Sequence, residues 1–349
     1  MKKLVFFLVI CFLIVFPKGG FKIGDVPITW GFIIFFFLVP FGLIHIYKNR
    51  GLVFHLSMER KWALLLCLPF IGYSMVVLVF GTIETSFGFV VSYILNILLM
   101  PIILLFVYGR VIDQPDFRLY FNRNFPTAIR IVAIFGLLLF FQRIFTGELF
   151  EIPYLTVNGS DAGEVDMKNN LRGGNIMKLI STYNNGNIYG VCMLILMPLY
   201  MSLEKKSIFK LLFVLSLLLT LSRTVWVGLI VYGLIDLLKN WNTIRGFVLL
   251  TLIALIIFVG VPIVLELIEV DVGFLLDKKL GGRLHQLQSL DISIIGNGIL
   301  TDILEIVYAS IFKIFGLIGL IFFLLYLASP ILISIISIWN SPSWYISKI

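Results

Sequence analysis

Charge is scarce in this chain of 349 residues: 13% of them are Asp, Glu, Lys or Arg, while 60% are hydrophobic and 15% aromatic. A soluble domain carries about a quarter charged residues, so the composition excludes an ordinary water-soluble globule and implies a polytopic membrane protein. Cysteine is nearly missing as well. Cys11, Cys67 and Cys192 each sit within an apolar run, which argues against disulfides or a thiolate metal site. No convincing metal motif is present, because the acidic stretch "DAGEVD" from Asp161 to Asp166 reads as solvated loop carboxylates, and no cofactor is expected. Neither the Gly/Ser nor the Pro repetition of a flexible linker occurs, nor an internal repeat. The net charge of +8 is spread along connecting loops, where it faces anionic lipid headgroups and requires no nucleic-acid partner.

What the chain has in abundance is apolar runs. A helix rising about 1.5 Å per residue needs roughly 20 of them to cross about 30 Å of hydrocarbon. About ten such runs can be counted, at residues 4–16, 26–47, 62–80, 88–108, 127–145, 188–203, 208–221, 224–238, 246–266 and 315–339. They are apolar on every face, unlike the alternating strands of a barrel. The first follows "MKK" but lacks a small-x-small cleavage site, so it reads as an uncleaved span. The expected fold is an all-α polytopic membrane protein of about ten transmembrane helices, with a range of roughly 10–12, built as one integral membrane domain over residues 1–349.

Orientation follows from Lys and Arg, which collect in one set of loops by about sixteen to ten and put both termini in the cytoplasm. The loops at residues 48–61 and 109–126 are then internal, basic and suited to anchoring. Two long connections, residues 146–187 and 267–314, become external, and long connections of ordinary composition are usually functional. The stretch from Asp302 to Trp339 would be about 57 Å long as one helix. Residues 302–313 are therefore expected to form a separate helix at the external surface.

Polar residues gather on that external side. The first long loop ends "NNLRGGNIMKLISTYNNGNIYG", with Arg172, Lys178, Asn184 and Asn187; the second carries Arg283, His285, Asp302 and Glu305. Arg223 stands within "LLLTLSRTVWVGLIVYGLIDLL", an apolar run with no other charge from Leu211 to Ile235. Counted from a cytoplasmic N-terminus, "LSRT" must be an external turn, so Arg223 lies at the membrane boundary beside both long loops. A guanidinium in a tight turn can simply snorkel to headgroups. Alternatively, Arg223, Arg283 in "GGRL" and Arg172 in "LRGG" form a phosphate-binding cluster, since guanidinium stays charged and binds phosphate bidentately. Adjacent glycines let backbone approach a ligand closely.

The pieces "YNNGNIYG", "LTLSRTVWVGL", "GGRLHQLQSLDISIIGNGI" and "GLIGLIFFLLYL", in that order, resemble the superfamily of bacterial O-antigen polymerases and O-antigen ligases, inner-membrane glycosyltransferases. The resemblance spans Arg172 to Leu327, about half the chain. It implies a GT-C-like architecture and a metal-independent reaction on the external face, in which a glycan moves from undecaprenyl pyrophosphate to an acceptor sugar hydroxyl. By position, Arg223 and Arg283 match the family's arginines, and Arg172 matches an arginine of the earlier loop less closely. Asn184, Asn187, His285 and Glu305 are expected to bind substrate. The ligase branch usually has a histidine before the last "GLIG" span; here Asp302 and Glu305 stand there, which favours a polymerase. Asp302, Glu305 and His285 are the candidates for general base, with Asp302 preferred by position. The implied partners are the lipid-linked oligosaccharide, membrane lipid, and a chain-length regulator and flippase of the same pathway. Three other readings stay open: a ligase acting on lipid A-core, a non-enzymatic lipid-linked oligosaccharide flippase, and a peptidoglycan glycosyltransferase using the same carrier.

Overall fold

A computed structural model describes residues 2–23, 26–48, 58–108, 115–164, 170–172, 176–239 and 306–340, with short pieces between 248 and 299. In chain order the elements are α1 (Lys2–Ile10, extended by a π-helical turn at Cys11–Val15), β1 (Gly20–Ile23), β2 (Val26–Thr29), α2 (Trp30–Lys48), α3 (Met58–Phe80), β3 (Thr82–Ile83), α4 (Phe87–Val107), α5 (Pro115–Thr146), β4 (Leu171–Arg172), β5 (Ile176–Met177), α6 (Gly186–Leu203), α7 (Ser207–Leu218), α8 (Arg223–Lys239), β6 (Gly298–Ile299) and α9 (Val307–Asn340). The strands pair β1 with β2, β3 with β6 and β4 with β5.

This is a mostly helical membrane protein. Among the described residues, 5 helices are long and apolar enough to span a bilayer, namely α3, α4, α5, α6 and α9, and shorter apolar helices lie in α1, α2 and α7. Of the α4 span only 11% is buried against protein. An apolar helix with so little protein cover needs lipid around it. The run at 246–266 falls mostly outside the described residues.

Two boundaries differ from the sequence expectation. Helix α5 begins at Pro115, so Arg118 and Arg123 stand on a helix rather than in a loop. Proline fits a first helical position because its missing N–H would have no partner there, and Asp116 in the first turn suits the helix dipole. At the other end of the chain, the break expected near Lys313 falls at Gly316, whose φ of 67° is non-helical inside α9. The helix before the break starts at Val307, and Ile311, Ile314 and Phe315 on it are buried.

The chain divides into two compact units: Met1–Ile23, Pro27–Phe36 and Pro115–Asp277 form the first, and Gly24–Val26, Phe37–Gln114 and Lys278–Ile349 the second. In the first unit, apolar residues recur at helical spacing and meet in one core. Phe125, Ile129 and Val132 of α5 face Tyr189, Met193, Met197 and Tyr200 of α6, Phe213 and Leu217 of α7, and Val225 and Leu229 of α8. Gly190 lets α6 and α8 approach, because a Cβ there would lie 2.4 Å from Val225 Cγ2. Small residues at crossing points are how membrane helices pack closely.

In the second unit α3 packs along α9, with the Phe70 ring 5.7 Å from Phe315 and 5.2 Å from Phe323. The break at Gly316 frees two backbone donors. A non-helical piece takes them up: Leu317 N donates to Ser293 O at 3.1 Å and Ile318 N to Ile294 O at 3.2 Å. The Tyr73 hydroxyl donates to Ile295 O at 2.6 Å, and β6 pairs with β3 in register Thr82 to Gly298. The sequence motifs "SIIGNGI" and "GLIGL" thus form one joint.

At the end of the first unit where α6 meets α7, Arg130 donates to both carboxylate oxygens of Glu204, at 2.5 and 2.7 Å. The Glu204 side chain is fully buried, whereas Arg130 stays 27% exposed. Tyr200 and the backbone N–H of Lys206 also donate to the carboxylate. Hydrogen bonding from Arg130 is the main reason the Glu204 carboxyl is held down at about 2. Because this lies below the unfolded value, the stabilisation is fully present above about pH 4.5 and fades as pH falls towards 2. Replacing Glu204 by Gln is expected to cost roughly 1–3 kcal/mol, below a fully buried pair because Arg130 reaches solvent. Thermal unfolding in detergent checks this: Glu204→Gln should melt lower at pH 7, with the gap closing on acidification, and an equal melting temperature at pH 7 would contradict it.

Candidate functional site

Between β5 and α6 the chain sinks into the first unit as irregular backbone. Leu179, Ile180, Ser181 and Thr182 are at most 3% exposed, and Tyr183 5%. Backbone polar groups buried in a helix bundle must find partners within the protein. Lys178 N donates to Asn170 O at 2.8 Å and Leu179 N to Leu219 O at 3.0 Å. Ser181 Oγ donates to Val132 O of α5 at 2.7 Å, and the Tyr183 hydroxyl to Ile14 O at 3.1 Å. Burial pushes the Tyr183 phenol far up, so it stays a donor. Gly136 of α5 makes room, since a Cβ there would be 2.7 Å from Leu179 Cδ2 and 3.0 Å from Ser181 Cβ.

The segment leads into α6 through Asn184, which is left-handed with a φ of 54°. Asn185 then caps the helix, its Oδ1 accepting from Asn187 N at 2.9 Å and Ile188 N at 3.2 Å. That bond occupies first-turn donors that would otherwise face an incoming anion.

The turn from α7 to α8 meets the same segment through the Leu179–Leu219 bond. Its geometry is held by Thr220 Oγ1 donating to Leu217 O at 2.6 Å and by the Trp226 indole donating to Leu218 O at 2.9 Å. Leu221 has a φ of 50° and Ser181 a φ of 49°. Together with Asn184 they put left-handed, non-glycine residues on both touching segments, at a cost of order 1 kcal/mol each. Such strain persists only where surrounding contacts over-determine it, and it concentrates at functional sites.

Arg223 is the first residue of α8. The guanidinium in the apolar run therefore begins a helix after a turn instead of interrupting a span. It is half-buried, and among the described residues it has no hydrogen bond or ion pair. A cation at a helix N-terminus opposes the macrodipole by about 0.3–1 kcal/mol. The charge of Arg223 therefore adds nothing to the stability of α8 through the helix dipole.

Of the residues expected to act, Asn184, Asn187 and Arg223 stand on the joined segments of the first unit, and Arg172 lies in β4, paired with Ile176. Arg283, His285, Asp302 and Glu305 lie outside the described residues. Two residues carry roles that the sequence reading did not assign. Asn185, and not its neighbours, is the helix cap. Lys178 is only 2% exposed, running past Gly186, where a Cβ would meet its Cβ at 2.7 Å. Its apolar neighbours in "MKLI" were the available signal. Among the described residues, the Thr182 Oγ1 and Asn158 Oδ1 atoms are buried and find no hydrogen-bond partner. Among the described residues no group of three or more His, Cys, Asp or Glu gathers.

No family model matches the chain, and neither a curated protein nor a solved structure matches it.

Because Gly136 sets the depth of the buried segment, Gly136→Leu should lift Leu179–Ser181 out of the bundle. Limited proteolysis in detergent reads this as faster cleavage between Arg172 and Asn184 than in the wild type; unchanged cleavage would show that the segment is not held by α5.

Proposed function

We propose that this protein is a glycosyltransferase of the bacterial inner membrane: a polymerase of O-antigen or a related surface polysaccharide. It transfers a glycan from undecaprenyl pyrophosphate to the terminal sugar hydroxyl of another lipid-linked repeat unit. The observation that carries the reading is Arg223, a half-buried guanidinium without a partner among the described residues, set on a strained junction between two chain segments. It is supported by the order of motifs in the sequence.

In this reading about ten spans form a GT-C-like body with both termini in the cytoplasm, and the Arg223 end faces the exterior. The acceptor hydroxyl oxygen attacks the anomeric carbon, and its proton passes to Asp302. The bond from that carbon to the carrier oxygen breaks, and the pyrophosphate leaves with the electron pair. Arg223 and Arg283, with Arg172, stabilise the charge that develops on it. Fixed donors aimed at developing charge contribute about 3–4 kcal/mol each, and a positioned base about 10²–10⁴ in rate. Asn184, Asn187, His285 and Glu305 hold the sugars. A chain-length regulator and a flippase of the same pathway are the expected partners.

The surface-polysaccharide ladder of a strain lacking the gene tests this. The deletion should leave single repeat units on the core, wild type should restore the ladder, and Arg223→Ala at matched membrane level should cut polymer formation about 100-fold or more. Arg223→Lys should recover only part of it, because a point charge does not replace a bidentate fork. A ladder that persists without the gene, or full restoration by Arg223→Ala, would overturn the proposal.

A further inference from the structure

The first unit carries a second feature of binding character, distinct from the Arg223 junction. Strand β1 and the start of α2 meet the loop that follows α5. There the Phe21 ring lies 5.2 Å from Trp30 and 5.6 Å from Tyr154. Phe21 is 42% exposed and Tyr154 52%, so neither ring is there to fill a core.

Tyr154 is nevertheless fixed. The Trp30 indole donates to Tyr154 O at 2.6 Å. Gly19 packs against the same carbonyl, where a Cβ would come within 2.8 Å, and a Cβ on Gly159 would come within 2.2 Å of Tyr154 Cε1. Tyr154 itself is left-handed, with a φ of 65°, a conformation that costs a non-glycine residue energy. An exposed aromatic ring held in place at such a cost calls for a use outside the fold, since strain of this kind points to a function rather than to packing.

The charge of the loop that carries Tyr154 restricts what the rings bind. From Gly147 to Glu164 the loop contains Glu148, Glu151, Asp161 and Glu164 and no Lys, Arg or His, in a chain of net charge +8. Glu151 is tied down by Gly163 N at 2.7 Å. Lys22 follows Phe21 and by strand alternation lies on the opposite face. A loop whose only charged residues are carboxylates disfavours lipid phosphates and the carrier pyrophosphate. It accepts hydrogen bonds from hydroxyl groups. The faces of rigid rings, which carry partial negative charge, take the polarised C–H groups on the apolar side of a sugar. Aromatic side chains with few rotatable bonds do this at low entropic cost.

We propose that Phe21, Trp30 and Tyr154 form a stacking platform for an uncharged saccharide ring, so that the glycan handled by this protein presents a neutral sugar to this loop. The role of the bound sugar as part of a transferred glycan rests on the glycosyltransferase reading; sugar binding itself does not.

Saturation-transfer-difference NMR on the full chain in phosphatidylcholine nanodiscs tests it. The probes are millimolar methyl glycosides of hexoses, 6-deoxyhexoses and N-acetylhexosamines, with methyl glucuronide as the anionic control. At least one neutral sugar should receive saturation at its ring protons, and methyl glucuronide less. Tyr154→Ala and Phe21→Ala should reduce the signal about fivefold or more, whereas Tyr154→Phe and Lys22→Ala retain it. If an alanine variant is not monodisperse, Tyr154→Leu and Phe21→Leu decide in its place. No signal from any neutral sugar, or a signal unchanged in the ring-deleting variants, would overturn the platform and leave the rings as a membrane-interface belt. A strain that keeps its ladder without the gene would remove the polymerase reading while leaving a positive sugar signal standing.

Discussion

Irregular backbone inside a helical membrane unit must satisfy its hydrogen bonds from within, and the architecture of the first unit follows from how Lys178 to Tyr183 does so. Each bond recruits a different element: α5 through Val132, the α1 extension through Ile14 and the α7–α8 turn through Leu219. Because Leu219 must reach Leu179, α7 stops at Leu218 and the chain turns inside the bundle. The next helix then opens at Arg223. An arginine that would be costly within a span is thereby placed at a helix start, next to a polar segment, for a reason that lies in the loop rather than in its own helix. Gly136 and Gly190 are the small residues that let these pieces close up.

The second unit solves the same problem in another way. Gly316 interrupts α9, and the backbone donors it frees are met by Ser293 and Ile294. In both units a motif-bearing connection is tied down by hydrogen bonds, through the Ser181 and Tyr183 side chains and the Leu179 backbone in the first and through backbone donors of α9 in the second. Sites that stabilise developing charge need such fixed geometry, since donors that must reorganise lose much of their effect.

Much of the helical layout was legible in the sequence because a lipid-facing helix needs no partner pattern, only length and apolarity. The run at 224–238 is helical in α8, Arg223–Lys239, and the turn before it covers Leu219–Ser222, overlapping only the first half of "LSRT". The burial of Leu179 to Tyr183 was not legible. Five residues are too few to register as a span, and their bonds go to residues 14, 132 and 219, which no local pattern encodes. For Lys178 the local signal is only its apolar flanks in "MKLI"; its burial depends on what closes over it. Helix α5 was read too short because Arg118 and Arg123 lowered the local apolarity while the helical conformation continued. The aromatic platform was visible only as composition, and its geometry needed Gly19, Gly159 and Trp30 in space.

The central claim is chemical: a glycan leaves a polyprenyl pyrophosphate at a site that includes Arg223. The most direct measurement uses purified protein in proteoliposomes with an undecaprenyl-pyrophosphate-linked oligosaccharide, following the donor and its products by mass spectrometry. The account predicts products longer by one repeat, matched by released undecaprenyl pyrophosphate, and loss of both with Arg223→Ala. A donor that stays intact with a correctly folded wild type, or that only crosses the membrane unchanged, would contradict it.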